Sequence, residues 1–169
     1  VVGWGGNIAG RTVPAGLSNV LEIAAGSGFS LALKWDGTLM EWPSNGSGPV
    51  GVPIGLSNVI AIAAAKSHSM AIKDDGTVAA WGYDNLVQSA VPAGLTNVTA
   101  IATGFLHSLA LKEDGTVVAW GDNGVGQTAV PSGLSNVVAI GVGSKSGRRV
   151  LSFRIESRFE RTPSYFAVS

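Results

Sequence analysis

The stretch HSLALKEDGTVVAWGDN, His107 to Asn123, decides how this chain is read. Two apolar alternating runs flank a DG pair, the short-range signature of a β-hairpin. A two-residue type I′ turn at Asp114-Gly115 predicts that Leu111 faces Val118, Ala110 faces Ala119 and Leu109 faces Trp120. Alternate side chains of a strand point to opposite faces. Leu109, Leu111, Val118 and Trp120 then form a bulky face, with Ala110, Ala119, Val117 and the Lys112 stem opposite.

Nearly the same words recur. VPAGLSNV at Val13, VPIGLSNV at Val52, VPAGLTNV at Val91 and VPSGLSNV at Val130 are each 39 residues apart. DGT at Asp36, Asp75 and Asp114 keeps step, as do Trp42, Trp81 and Trp120. Whole units run 13–51, 52–90 and 91–129, and a fourth begins over 130–143. Residues 1–12, VVGWGGNIAGRT, read as the end of a preceding unit, so a fragment or a processed chain is expected.

After Gly143 the pattern stops. SKSGRRVLSFRIESRFERTPSYFAVS has no HSLAL, no DGT and no Trp. Residues 144–169 are expected to be a divergent basic extension, disordered or poorly packed, of separate origin such as a frameshift.

Copies of the hairpin keep the lopsided pattern. Met70, Ile72 and Trp81 oppose Ala71 and Ala80, and Leu31, Leu33, Met40 and Trp42 oppose Ala32. A single unit has too few large apolar side chains to offset the entropy of ordering it, so copies must stack face to face. Further strands are expected at NVTAIAT and near GQTAVP, giving three to four strands per unit, as in a propeller blade. Gly, Pro and Asn interrupt every run before helical length.

Composition narrows the rest. Of 169 residues, 46% are hydrophobic and 13% charged, which excludes a disordered polyelectrolyte. There is no cysteine, hence no disulfide and no thiolate metal site. No apolar run reaches the ~18 residues of a membrane span, and no leader-like segment is present. Residues 1–144 carry five basic and nine acidic groups, a net of −4, and residues 145–169 carry six and two, a net of +4.

The ordered set G..HSLAL..DGT..AWG.N..GQ resembles the repeat of the regulator of chromosome condensation family in its short bacterial form, over residues 1–143. The repeat type is also that of propeller β-lactamase-inhibitory proteins. The resemblance implies an all-β propeller, usually of seven blades. Phe29 stands where His68 and His107 do, Ala65 replaces the Gly of Gly26 and Gly104, and EWPSNGSGP degrades the post-Trp segment. VVGWG is placed to complete a last blade with Val150–Ile155. The curvature of a seven-blade repeat does not shut after four, so a partial or open propeller of about four antiparallel blades is expected.

The candidate chemistry is mostly structural. His68-Ser69 and His107-Ser108 are copies, and Phe29-Ser30 occupies the same place, so each His is expected to bond a neighbouring loop. The two His lie on different units without metal-ligand spacing. Asp36, Asp75 and Asp114 are turn formers, with no Ca²⁺-loop pattern around them. Lys34, Lys73 and Lys112 form a solvated ladder. The Trp residues are expected in the core, any exposed one being a candidate carbohydrate platform. No cofactor is implied.

Function is expected where copies differ, because loops carry specificity. The loop before HS reads SGF, KSH and FLH, and the segment after Trp varies too. Phe29, Lys66, Ser67, Tyr83, Phe105 and Leu106 are the candidate partner-binding residues of a non-catalytic protein-binding module. The alternative is a truncated structural fragment without activity. Nucleic acid is disfavoured by the charge of the body and is open only to the extension, through Arg148, Arg149, Arg154, Arg158 and Arg161. Exposed blade faces would permit self-association. The resemblance implies roles ranging from nucleotide-exchange and chromatin-binding proteins to β-lactamase inhibitors. It favours a secreted or surface location.

Overall fold

The computed structural model describes residues 13–43, 51–66, 68–143, 151–155 and 164–168. These form four three-stranded antiparallel sheets. The first holds β1 (Val20–Ala25), β2 (Phe29–Lys34) and β3 (Leu39–Pro43); the second, β4 (Val59–Ala64), β5 (His68–Lys73) and β6 (Val78–Gly82). The third holds β7 (Val98–Thr103), β8 (His107–Lys112) and β9 (Val117–Gly121); the fourth, β10 (Val137–Val142), β11 (Leu151–Ile155) and β12 (Ser164–Val168). No helix occurs among the described residues, so none there is long and apolar enough to cross a membrane. The protein is an all-β partial propeller, one blade per 39-residue unit. First strands of successive blades lie side by side.

The hairpin turn differs from the expected one. Lys112 N–H donates to Thr116 O at 2.9 Å and Gly115 N–H to Lys112 O at 2.9 Å, enclosing three loop residues instead of two. Gly115 alone of the three takes a positive φ, +76°. Asp114 is held at negative φ because its Oδ1 accepts from the Thr116 backbone N–H at 3.0 Å and from the Thr116 hydroxyl. Such a loop is a tight turn closed by a left-handed glycine. The same hydrogen bonds recur at Asp36 and Asp75.

The extra loop residue shifts the register by one. Leu111 pairs with Val117, Ala110 with Val118, Leu109 with Ala119 and Ser108 with Trp120. The tryptophan therefore sits on the alanine face, correcting the expected grouping. Each of the first three blades presents aliphatic side chains on its trailing face and an Ala–Trp surface on its leading face. Leu31 and Leu33 of the first blade pack with Ala71 and Trp81 of the second. Met70 and Ile72 pack with Ala110 and Trp120 of the third. Stacking of copies survives the correction, since a large side chain still fills the space an alanine leaves. Burying each such aliphatic side chain contributes about 1.5–3 kcal/mol.

A backbone staple backs each seam. Val59, Val98 and Val137 N–H donate to the carbonyls of Gly37, Gly76 and Gly115 in the preceding blade, each at 3.1 Å. A Cβ on Gly115 would lie 3.0 Å from Cα of Asn136, itself at φ +57°. The DGT glycine thus serves both the turn and the next blade.

Two further expectations change. The GQTAVP segment forms no strand. The extension beyond residue 143 contributes strands: β11 pairs with β10, Ile140 opposite Phe153, and β12 pairs with β11. The fourth sheet is thus finished with residues that carry no repeat motif. Arg154 lies on β11. Arg148, Arg149, Arg158 and Arg161 and the proposed VVGWG closure fall outside the described residues.

Candidate functional site

Strand directions sort the loops into two rims. Each middle strand runs from its hairpin tip down to the DGT turn, and the outer strand returns. The tips at 26–28, 65–66 and 104–106 therefore share a rim with the connectors that follow each Trp. Asp122 N–H donates to Leu106 O at 2.8 Å, tying one connector to its tip.

The opposite rim repeats itself. Lys34–Asp36, Lys73–Asp75 and Lys112–Asp114 form ion pairs at 3.0, 2.9 and 3.2 Å. Threonine hydrogen bonds and the adjacent ammonium lower the pKa of Asp36 and Asp114 to about 2, and that of Asp75 further still. Trp35 interrupts the pattern on this rim. It is 73% exposed, where the other units place Asp74 and Glu113.

On the tip rim the four blades line an open cavity of about 490 Å³. Ser27, Lys66, Phe105 and Val142 each line it from a different blade. Lys66 Nζ lies 4.1 Å from the centroid of the Phe105 ring, a cation–π contact between neighbouring blades. Among the described residues every Lys–Asp ion pair lies on the far rim, and Lys66 has no carboxylate partner. One backbone amide of each tip is engaged within its own hairpin. Gly26, Ala65 and Gly104 N–H donate to the carbonyls of Phe29, His68 and His107 at 3.0, 3.1 and 2.8 Å.

The sequence candidates separate. Lys66 and Phe105 are brought together at the cavity. Leu106 is half-buried in the same tip and Tyr83 is exposed on the outer connector of the same rim. Neither lines the cavity. Phe29 is only 2% exposed and lies where a Cβ on Gly26 would meet its ring, so it is a packing residue and offers a partner no surface. Ser67 lies outside the described residues.

The His-Ser pairs resolve into a seam. His68 Nε2 is 2.8 Å from Ser108 Oγ, and the Ser108 hydroxyl donates to Gln88 O at 2.8 Å. With that proton committed, Ser108 accepts from Nε2–H, which leaves His68 Nδ1 unprotonated and without a partner among the described residues. Burial lowers the His68 pKa to about 4, and it also lowers that of His107. A base beside a hydroxyl suggests catalysis. Both side chains are wholly buried, however, and the serine proton already has its acceptor, so the pair joins blades. The bond reaches the strand of the next blade, not a loop as expected.

Sequence reasoning missed Gln88. Its carbonyl also accepts from Trp120 Nε1 at 3.1 Å, and its Oε1 accepts from Leu86 N–H at 2.9 Å. The signal was a glutamine shared at 88 and 127, whose side chain closes each connector onto Leu86 or Val125. Val87 adopts φ +54°, where the next unit has Gly126 at +79°. Among the described residues no group of three or more His, Asp or Glu is gathered to hold a metal.

Residues 98–127, the third blade's strands and half of its connector, match the family described as regulator of chromosome condensation (RCC1) repeat. This blade carries an RCC1-type repeat, and the chain as a whole is similar to RCC1 propellers in fold. Solved structures agree on the RCC1-like fold. The CRINKLY WD40 ectodomain of the Arabidopsis thaliana receptor kinase ACR4 aligns at TM-score 0.66 and 20% identity, over 88% of this chain and 50% of that one. The ectodomain of the Physcomitrella patens receptor kinase CR4 aligns at TM-score 0.63 and 22% identity, over 87% and 40%. Prp20p of Saccharomyces cerevisiae, described with its binding to Gsp1p and histones, aligns at TM-score 0.61 and 19% identity, over 89% and 50%. The chain thus spans half or less of each. No curated protein matches the sequence.

Proposed function

We propose that this RCC1-like array is a non-catalytic protein-binding module whose partner contacts the tip rim, with Lys66, Phe105, Leu106 and Tyr83 in the contact. One observation carries the reading: the rim whose residues differ from blade to blade also holds the cavity, while the opposite rim repeats one Lys–Asp–Thr turn. Repetition on one side is dictated by the fold, and variation on the other is free to encode recognition. Prp20p, of similar fold, binds proteins, which is consistent with this use of the architecture.

A photo-crosslinking amino acid placed at Tyr83 or Phe105, and in controls at Asp74 or Glu113 on the opposite rim, tests it. The reading expects one protein to be captured from the first two positions only. Equal capture from both rims overturns it.

A second reading, a structural portion of a longer array without activity of its own, rests on the first blade. Ile23 is 47% exposed, whereas its copy Ile62 is 6% exposed beneath the preceding blade. The first blade thus presents a leading face shaped for another blade.

A further inference from the structure

We infer that the tip-rim cavity receives a carboxylate from the partner, carried on a glutamate-like side chain whose stem lies along the Phe105 ring. The inference rests on the rim being the protein-binding surface, and it specifies what the partner inserts there.

Three features select this chemistry. The first is the charge. Lys66 lines a cavity of about 490 Å³, and its ammonium has no carboxylate partner among the described residues. The lysines of the three Lys–Asp turns are neutralised on the far rim, so this cation is left for a ligand.

The second is the valence. A phosphate carries up to two charges and three acceptor oxygens and is held by clustered cations or converging backbone amides. Among the described residues the lining supplies one ammonium and no second cation. Beside it the lining offers neutral donors, the hydroxyls of Ser27 and Thr103 among them. One cation matches the single charge of a carboxylate.

The third is the wall. Phe105 holds the ammonium 4.1 Å above its ring, so the cation sits beside an apolar surface. The ammonium and the apolar rim of the ring lie side by side, which suits a side chain with methylenes before its charge.

The test uses the full chain and two small probes, N-acetyl-glutamate methylamide and its glutamine counterpart. Binding is followed by NMR at the amides of Gly26 and Gly104 and at the Phe105 ring. The glutamate probe is expected to give saturable shifts at these positions and to bind about three- to fivefold more tightly than the glutamine probe, as befits a partly exposed ion pair. Added salt should shrink that preference. Lys66→Met should abolish it and Lys66→Arg should keep it, with the spectrum of the blade cores unchanged. Equal affinity for both probes, shifts away from the tips, or no saturable shift overturns the inference. If crosslinking at Phe105 still captures a protein while the probes do not discriminate, the rim reading stands and the carboxylate alone is wrong.

Discussion

His68 Nε2 and Ser108 Oγ, 2.8 Å apart, bolt the second blade to the third, and the same bolt is missing one blade earlier. There Phe29 takes the histidine's place, and Ser69, the copy of Ser108, is left buried with no partner for its hydroxyl among the described residues. Two serines 39 residues apart thus have the same burial and opposite hydrogen bonding. Ser108→Ala strands the His68 N–H and takes one of two donors from the Gln88 carbonyl, and should lower unfolding free energy by about 1–3 kcal/mol. Ser69→Ala removes a hydroxyl without a partner among the described residues and should be neutral or slightly stabilising, within about 0.5 kcal/mol. Urea denaturation of both variants checks this, and equal losses would show that the seam bond contributes nothing.

Much of this seam was legible in the sequence. The 39-residue period and the Leu–Ala alternation led to blades, to stacking and to buried tryptophans at 81 and 120. The register was not, because DG fits both a two-residue and a three-residue loop. The choice falls to Asp114 accepting from Thr116, which holds the aspartate out of the left-handed region. That one residue moves the tryptophan to the other face. The strand at 164–168 was hidden, and 151–155 was offered only as the piece VVGWG would join, since backbone pairing in this sheet asks for extended chain and not for any repeat motif. On the rim, Lys66 and Phe105 were singled out by their variation. Their contact joins loops of different blades, which no local pattern reports.

Acid should loosen the array in a defined window. Burial depresses the His68 pKa from 6.5 to about 4. An unfolded chain binds that proton near pH 6.5 while the folded chain still refuses it. The unfolded state therefore holds more protons between these values, and stability falls as pH drops from about 6.5 to about 4. His107 is shifted in the same direction and adds to the trend. The aspartates of the DGT turns act lower, below the ordinary carboxylate pKa near 3.8. Thermal melts across pH 7.5 to 4 should show a falling midpoint, and His68→Phe, the residue the first blade already uses, should flatten part of it. A midpoint constant over that range would contradict the neutral buried histidine.

Two glycines with the same backbone angle separate strain from seam packing. Gly94 and Gly115 have φ of +77° and +76°. A Cβ on Gly94 meets nothing within 4 Å, whereas one on Gly115 presses on the backbone of Asn136 and Val137 in the next blade. Both alanine variants bear the left-handed cost, about 1–2 kcal/mol. Gly115→Ala should lose about 1–3 kcal/mol beyond that, because backbone cannot rotate away as a side chain can. Equal losses in denaturant would mean that the turn glycine serves only its own hairpin.

The leading face of the first blade offers the last comparison. Ile23 and Ile62 are copies, 47% and 6% exposed, and Leu21 and Met40 lie exposed on the same blade. Ile62→Glu puts a charge among Leu31, Leu33 and Trp81, and should cost about 3 kcal/mol or more. Ile23→Glu puts it in water, and should leave the melt within about 0.5 kcal/mol of the parent. What Ile23→Glu should change is association. Two such exposed apolar leading faces can cover one another, so the parent chain should self-associate as its concentration rises and the variant should do so less, as read by sedimentation velocity. If Ile23→Glu unfolds the chain instead, the leading face is already covered by this chain's own residues, and the open-arc reading falls with it.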